Sequence, residues 1–329
     1  MKKRLCMLCA LFLVFLGSCS DKKTEIETID IKYQQELSTL SFQEGVIKGR
    51  LMHPIEKDHE TLIIIVPGSG RMDLNGNIKP TFNTNNLLMI SEFLADEGYY
   101  TLRYDKRGVG ESSEIINTES DIDFHNSVDD VVKWVEKYSK DPRFKRIVLF
   151  GHSEGALNAT QVSLMSEEID ALISVAAIAI PADQVILERL QAQSEELYEL
   201  SIPIIEELKI GNMVTRVPFA LFDLFRPSVQ PYLISLFDFI PIEIARQVEV
   251  PTLIIHGNRD ININESHGKL LHQEIPHSKL VIVSGMNHVL KHVTSDKEEN
   301  MSTYTNPELP IHEKFKDEVL LFLSEIIKE

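Results

Sequence analysis

Five residues, Gly151-His-Ser-Glu-Gly155, follow directly on the apolar run Lys145-Arg-Ile-Val-Leu-Phe150. An apolar strand leading into Gly-x-Ser-x-Gly is the sequence form of a nucleophile elbow, a tight turn that holds a serine hydroxyl proud of a sheet. Glycines two places before and after the serine let the backbone turn sharply. Such a hydroxyl attacks only when a base takes its proton and a third group holds that base in the right tautomer. Two residues further along suit those tasks. Asp260 closes Gly257-Asn-Arg-Asp260, after the apolar stretch 251–256, and His288 closes Ser284-Gly-Met-Asn-His288, after the stretch 279–283. The chemistry is attack on an acyl carbon, with Ser153 as nucleophile, His288 as general base and then general acid, and Asp260 as orienter of the imidazole.

Each assignment has competitors. His152 adjoins the nucleophile, but in a tight turn its side chain diverges from Ser153. Surface or packing roles suffice for His256, His267, His272, His277 and His292. Asp170 and Asp183 are the alternative acids, either of which could approach from a neighbouring strand. The tetrahedral intermediate also needs aimed N–H donors. Glu154 N–H, immediately after the nucleophile, is one. Ser69 N–H, within Pro67-Gly-Ser-Gly70, is the other. This loop lacks the lysine and spacing of a phosphate-binding loop. The Glu154 side chain is expected in an ion pair or a helix-start interaction rather than in the chemistry.

The elements that must carry these groups follow a rhythm. Residues 37–53 have modest strand patterns suited to antiparallel edge strands. Thr61–Val66 is a short β-branched apolar run, 86–96 has helical apolar spacing, and 99–103 is the next strand. An amphipathic helix over 128–138, a strand at 146–150, a helix over 155–165 and an apolar strand at 172–180 continue it. The stretches 251–256 and 279–283 are strands, and 311–327 is a closing helix. Strands alternating with helices imply a mostly parallel sheet with helices on both faces. Ser153, Asp260 and His288 all then emerge at its carboxyl edge, where open α/β sheets bind ligands. Between 181 and 246 the rhythm breaks. A long acidic helix over 188–209 precedes a segment rich in Phe and Pro, including Phe219, Phe222, Phe225, Phe237 and Phe239. Residues 182–245 are expected to form a helical lid inserted into the main domain, which takes 37–181 and 246–329. Most of the aromatics pack within the lid or against the domain, and some line an acyl or aryl pocket.

Together these features resemble the α/β-hydrolase superfamily across nearly the whole chain beyond its N-terminal segment. The closer resemblance is to bacterial serine hydrolases carrying G-S-G-x-x-D-x-x-G-N, here Gly68-Ser-Gly-Arg-Met-Asp-Leu-Asn-Gly-Asn77. They also carry R-Y-D-x-R-G-x-G-x-S, here Arg103-Tyr-Asp-Lys-Arg-Gly-Val-Gly-Glu-Ser112. The resemblance implies an esterase or acyl hydrolase that needs no metal or organic cofactor, with peptidase as the alternative and a non-catalytic envelope protein below both. Its partner is a small or medium-sized acyl ester, or a peptide on the alternative reading. The familiar first segment often has proline and threonine where this chain has Arg71 and Met72, so the pocket mouth differs. Arg103, Asp105 and Arg107 are expected to form a charged network below the active-site loops. Carboxylate-substrate recognition by Arg107 is the alternative.

Composition is that of an ordinary globular protein, with 43% hydrophobic and 25% charged residues. A formal charge of −17 opposes non-specific attraction to nucleic acid or anionic headgroups. Lys2, Lys3 and Arg4 precede an apolar stretch over 5–16, the pattern of a signal peptide. Leu16-Gly17-Ser18-Cys19 resembles the bacterial lipoprotein processing box. Residues 1–18 are then expected to be a signal peptide, Cys19 a lipidated N-terminus, and 19–36 a tether to a membrane of the bacterial cell envelope. Cys6 and Cys9 would leave with the signal, so Cys19 would have no disulfide partner.

Overall fold

The computed structural model describes residues 33–294 and 296–328. The expected signal segment, Cys19 and residues 19–32 of the expected tether lie outside the described residues. Eight strands form one sheet: β1 (Gln35–Ser41), β2 (Val46–Met52), β3 (Thr61–Val66), β4 (Tyr100–Tyr104), β5 (Arg146–His152), β6 (Ala171–Val175), β7 (Thr252–Gly257) and β8 (Ser278–Val283). Their order across the sheet is β1-β2-β4-β3-β5-β6-β7-β8. Only β2 runs antiparallel to its neighbours, β1 and β4. The remaining pairs are parallel. β1 starts inside the stretch expected as tether, because Gln35 already pairs with Met52 and Glu36 accepts from Arg143 at 3.0 Å.

Eleven α-helices accompany the strands among the described residues. In chain order they are α1 (Asn86–Asp96), α2 (Phe124–Tyr138), α3 (Glu154–Ser163), α4 (Ala182–Gln193), α5 (Glu195–Lys209), α6 (Phe222–Phe225), α7 (Gln230–Phe237), α8 (Pro241–Ala245), α9 (Glu265–Glu274), α10 (Lys297–Ser302) and α11 (Glu313–Lys328). Successive strand residues point to opposite faces, so each central strand feeds two cores. Leu62, Ile64, Leu149 and Leu172 pack with Trp134 of α2 and Ala159 of α3. Ile63, Ile65, Phe150 and Ile173 pack with Leu87 of α1 and Phe315 of α11. Coverage of both faces is why β3, β5 and β6 read as nearly unbroken apolar runs rather than alternating ones.

Two elements differ from expectation. The strand over 172–180 ends at Val175, because Ala176 takes a left-handed φ of 51° that leaves the ladder. The helix over 188–209 is two helices, broken at Ser194, whose φ of −166° and ψ of 131° are extended. Helices α4 to α8 lie between β6 and β7 and form the cap.

Candidate active site

Ser153 stands between β5 and α3 with φ 55° and ψ −123°, a conformation that costs a non-glycine residue roughly 1–3 kcal/mol. Its surroundings hold it there. Ser153 N–H donates to Val175 O at 2.8 Å, and Ser153 O accepts from Ala156 N at 3.0 Å. Gly155 fits only without a side chain, since a methyl group there would lie 2.2 Å from Val66 O. That close approach brings the loop after β3 against the elbow. A methyl group on Gly68 would stand 3.3 Å from Ser153 Cβ.

Asp260 and His288 leave β7 and β8 at the same edge of the sheet. His288 Nδ1–H donates to Asp260 Oδ2 at 2.7 Å. Asp260 Oδ1 accepts from Asn262 N at 2.7 Å and Ile263 N at 2.8 Å. Burial works against the Asp260 carboxylate, but His288 and these N–H donors outweigh it and hold its pKa below the ordinary range. The two loops are knitted together. Arg259 N donates to Met286 O at 3.0 Å, and Gly285 N to Asn258 Oδ1 at 2.8 Å. Buried Asn287 shapes the His288 turn, accepting from Lys291 N at 2.9 Å and donating to Thr303 Oγ1 at 2.7 Å.

Ser153 Oγ and His288 are not hydrogen-bonded to each other in this structure. They are joined through His152. Its Nε2–H donates to His288 O at 2.8 Å, and the two imidazole centroids are 4.9 Å apart. Burial first, and the neighbouring His288 second, push the His152 pKa down to about 3, so the ring is neutral at physiological pH. Its acceptor is a carbonyl, which places the proton on Nε2. Sequence reasoning rightly turned this side chain away from Ser153 but missed its use as a strut.

The loop carrying Ser69 is held from below by Lys106, whose Nζ donates to Gly68 O at 2.5 Å. Burial lowers the Lys106 pKa, opposed by the charge of Glu154. The Glu154 side chain accepts from the Tyr232 hydroxyl of α7, so the cap is bonded to the residue following Ser153. Burial raises the Tyr232 pKa well above its usual value, and Glu154 adds to the shift. Further polar contacts join the cap to the domain, two of them near α2. Arg226 pairs with Glu119, and Ser235 Oγ accepts from Phe124 N at 2.8 Å.

Arg103, Asp105 and Arg107 do not bond to one another. Arg103 lies in β4, whereas Asp105 and Arg107 follow its end, and the turn sends each to a different partner. Arg103 reaches Asn75 Oδ1 and Gln35 Oε1. Asp105 accepts from Leu74 N and Glu111 N, each at 2.8 Å, tying two loops together. Arg107 makes a bidentate pair with Asp130 of α2, at 2.8 and 2.9 Å, with the Phe42 ring 4.4 Å beneath its guanidinium. A guanidinium committed in this way is not presented to a substrate.

The competing residues are elsewhere. Asp170 accepts from Ile147 N at 2.7 Å, at the amino end of β5 and away from the elbow. Asp183 pairs with Lys209 inside the cap at 2.6 Å. His256 is fully buried, and both its ring nitrogens lack partners among the described residues. His267 Nδ1 accepts from Ala179 N at 3.1 Å, His272 meets Ser278 Oγ, and His292 meets His312. Of the cap aromatics, Phe225, Phe237 and Phe239 are buried, whereas Phe219 and Phe222 face solvent.

Comparison with solved structures settles the architecture. Est1E from Butyrivibrio proteoclasticus with ferulic acid bound superimposes with a TM-score of 0.58 at 17% identity, covering 87% of this chain and 99% of Est1E. The fold is the α/β-hydrolase fold. Proline iminopeptidase from Mycobacterium smegmatis shares it, with a TM-score of 0.59, 17% identity and coverage of 89% and 99%. So does the Pyrococcus furiosus esterase Pf2001, with a TM-score of 0.56, 17% identity and coverage of 90% and 92%. By sequence, a family model described as serine aminopeptidase, S33 matches residues 84–218. Esterase EstD from Thermotoga maritima is 24% identical over 278 residues, 82% of this chain. The chain spans 64% of EstD's length. Within the α/β-hydrolase fold, Ser153 occupies the strand-to-helix turn after β5, with Asp260 and His288 in the loops after β7 and β8.

Proposed function

We propose that this chain is a serine hydrolase of carboxylic esters, working through Ser153, His288 and Asp260. The observation that carries the reading is the Asp260–His288 pair braced against the strained Ser153 turn by His152. Asp260 occupies Nδ1 of His288, which leaves Nε2 to exchange protons with substrate. Substrate binding brings Ser153 Oγ within reach of that nitrogen, as catalytic hydrogen bonds commonly tighten in the Michaelis complex. Ser153 Oγ then bonds to the ester carbon as its proton passes to Nε2, and the carbonyl oxygen becomes an oxyanion. Ser69 N–H and Glu154 N–H are the donors assigned to it. Collapse breaks the bond to the alcohol oxygen, which leaves with the proton from His288. Water, deprotonated by His288, attacks the acyl-enzyme and returns Ser153 with release of the acid. The esterases among the relatives support an ester substrate.

The family model and the iminopeptidase likeness favour a second reading, a peptidase or amidase using the same residues on small peptides. A panel of matched esters and aminoacyl amides separates the two. The ester reading expects esters to be cleaved with the higher kcat/KM, and efficient amide cleavage without ester cleavage would overturn it. A fluorophosphonate should label the wild-type chain but not S153A; labelling that persists in S153A rejects the nucleophile.

For location, we propose a lipoprotein anchored through Cys19 and facing the periplasm or cell surface. Mass analysis of the native N-terminus should find diacylglyceryl-modified Cys19, and an unmodified cysteine would reject the anchor.

A further inference from the structure

The peptide between Gly68 and Ser69 carries two groups with opposite duties. Its nitrogen bears the Ser69 N–H assigned to the oxyanion, and its oxygen is the Gly68 carbonyl that Lys106 Nζ bonds at 2.5 Å. This peptide is trans, and a planar trans peptide points its C=O and N–H in opposite directions. A donor fixed on the oxygen therefore aims the nitrogen the other way. That direction runs outward, from buried Gly68 to exposed Ser69. Ser69 N–H makes no hydrogen bond among the described residues, so it is available to a ligand. Gly68 also lies against the elbow, because a methyl group on it would stand 3.3 Å from Ser153 Cβ and 3.2 Å from His152 O.

Charge adds to the aim. Lys106 makes no ion pair among the described residues, and its ammonium bears on one carbonyl. A cation at the oxygen of an amide draws electron density from the nitrogen and makes its N–H a stronger donor, because bonded groups polarise one another in series. The charged group that acts on Lys106 is Glu154, the first residue of α3. Glu154 is buried and held by the Tyr232 hydroxyl of α7. Across Gly68 the His152 ring is neutral. The chain neighbours of Lys106 turn elsewhere, Asp105 to Leu74 N and Glu111 N and Arg107 to Asp130. We propose that Lys106 is a positioning residue of the oxyanion site, aiming and polarising Ser69 N–H through the Gly68–Ser69 peptide, with Glu154 sustaining its charge. The role rests on the serine hydrolase reading.

A lysine that acts by its charge marks the pH profile, which a merely structural lysine would not. Fluorophosphonate labelling of Ser153 puts a phosphonyl oxygen in the oxyanion site, whether the natural substrate is an ester or an amide. The measurement is the labelling rate of the full chain across the neutral and alkaline range, with S153A as blank. Burial lowers the Lys106 pKa, so the wild type should lose rate on an alkaline limb below the ordinary value of 10.5. Burial holds the Tyr232 hydroxyl protonated to higher pH. The rate should fall towards that of K106M, which is flat and up to about 100-fold slower. K106R, whose guanidinium stays charged throughout, should recover part of the neutral rate and show no limb. Glu154 raises the Lys106 pKa, so E154Q should move the limb to lower pH. Far-UV circular dichroism across the range, with thermal midpoints near the wild type, confirms that each variant stays folded.

A wild-type rate that stays level up to the ordinary lysine value overturns the proposal, as does a limb that persists in K106R. K106M labelled as fast as the wild type overturns it too. An E154Q limb at the wild-type pH overturns the part given to Glu154. No labelling of the wild type, or labelling that persists in S153A, rejects the serine hydrolase reading itself. Labelling confined to Ser153 but lacking the limb rejects Lys106 alone.

Discussion

Replacing His152 with phenylalanine separates the strut from the ring. The H152F side chain still fills the space beside the His288 imidazole but loses the Nε2–H that donates to His288 O at 2.8 Å. Leaving that part-buried carbonyl without its donor should cost about 1–3 kcal/mol near neutral pH. The His288 turn then drifts relative to Ser153, and misplacement on the scale of 1 Å can cost on the order of 100-fold in rate. We expect kcat to fall about 10- to 100-fold with KM nearly unchanged, and fluorophosphonate labelling to slow in step. The pH dependence gives an independent check. In the folded state His152 takes its proton only near pH 3, whereas the unfolded chain takes it near 6.5. Below pH 6.5 the unfolded state therefore binds the extra proton, and the stability this neutral ring contributes is lost as pH falls towards 3. By pH 5 the loss amounts to about 2 kcal/mol. H152F has no such proton to bind, so its deficit against wild type should shrink by that amount between pH 7.5 and pH 5. Urea unfolding followed by Trp134 fluorescence measures it. A deficit constant with pH would refute the buried neutral ring, and unchanged kcat would refute the strut.

Four further outcomes follow from contacts in the site. K106M releases Gly68 O and should lower kcat by up to about 100-fold, short of losing an oxyanion donor outright; K106R should recover part of it in the same ester assay. Y232F removes the hydroxyl that bonds Glu154 and should raise KM for bulky acyl esters more than it lowers kcat, with a stability loss of about 1–2 kcal/mol. R107M strands Asp130, whose side chain is 3% exposed, and should cost about 3–5 kcal/mol in urea unfolding with little effect on the residual folded enzyme's KM. S153G should be more stable than S153A by about 1 kcal/mol, because only glycine relieves the left-handed φ at the elbow.

The frame, and the positions of the three proposed site residues at the sheet edge, were legible for a local reason. Apolar runs of strand length ended at Ser153, Asp260 and His288, and parallel strands deliver such ends to one edge. The supports were not legible, because each acts across the fold. His152, Lys106, Tyr232 and Asn287 bond partners 136, 38, 78 and 16 residues away, and no local pattern marks them. The Arg103, Asp105 and Arg107 group misled in the opposite sense. Proximity in sequence suggested mutual pairing, but β4 ends at Tyr104, and Asp105 and Arg107 lie beyond it in the turn, where each reaches a different partner. One miss had a signal: Ser194-Glu195-Glu196 has the composition of a helix start, and it falls where the single expected helix divides.

The cap enters the chain after β6 and leaves before β7, two strands that pair directly from Leu172↔Thr252 to Val175↔Ile255. Neighbouring strand ends make a natural splice point. A segment inserted there can be lengthened, replaced or reshaped without altering the ladder that carries the catalytic loops. Ser153 is encoded before the splice, and Asp260 and His288 after it, so no substitution within the cap changes their backbone directly. On the proposed reading, chemistry and selectivity would then sit on separately mutable stretches of one gene. On that reading, changes within residues 182–245 would alter substrate choice while leaving the proposed reacting groups intact.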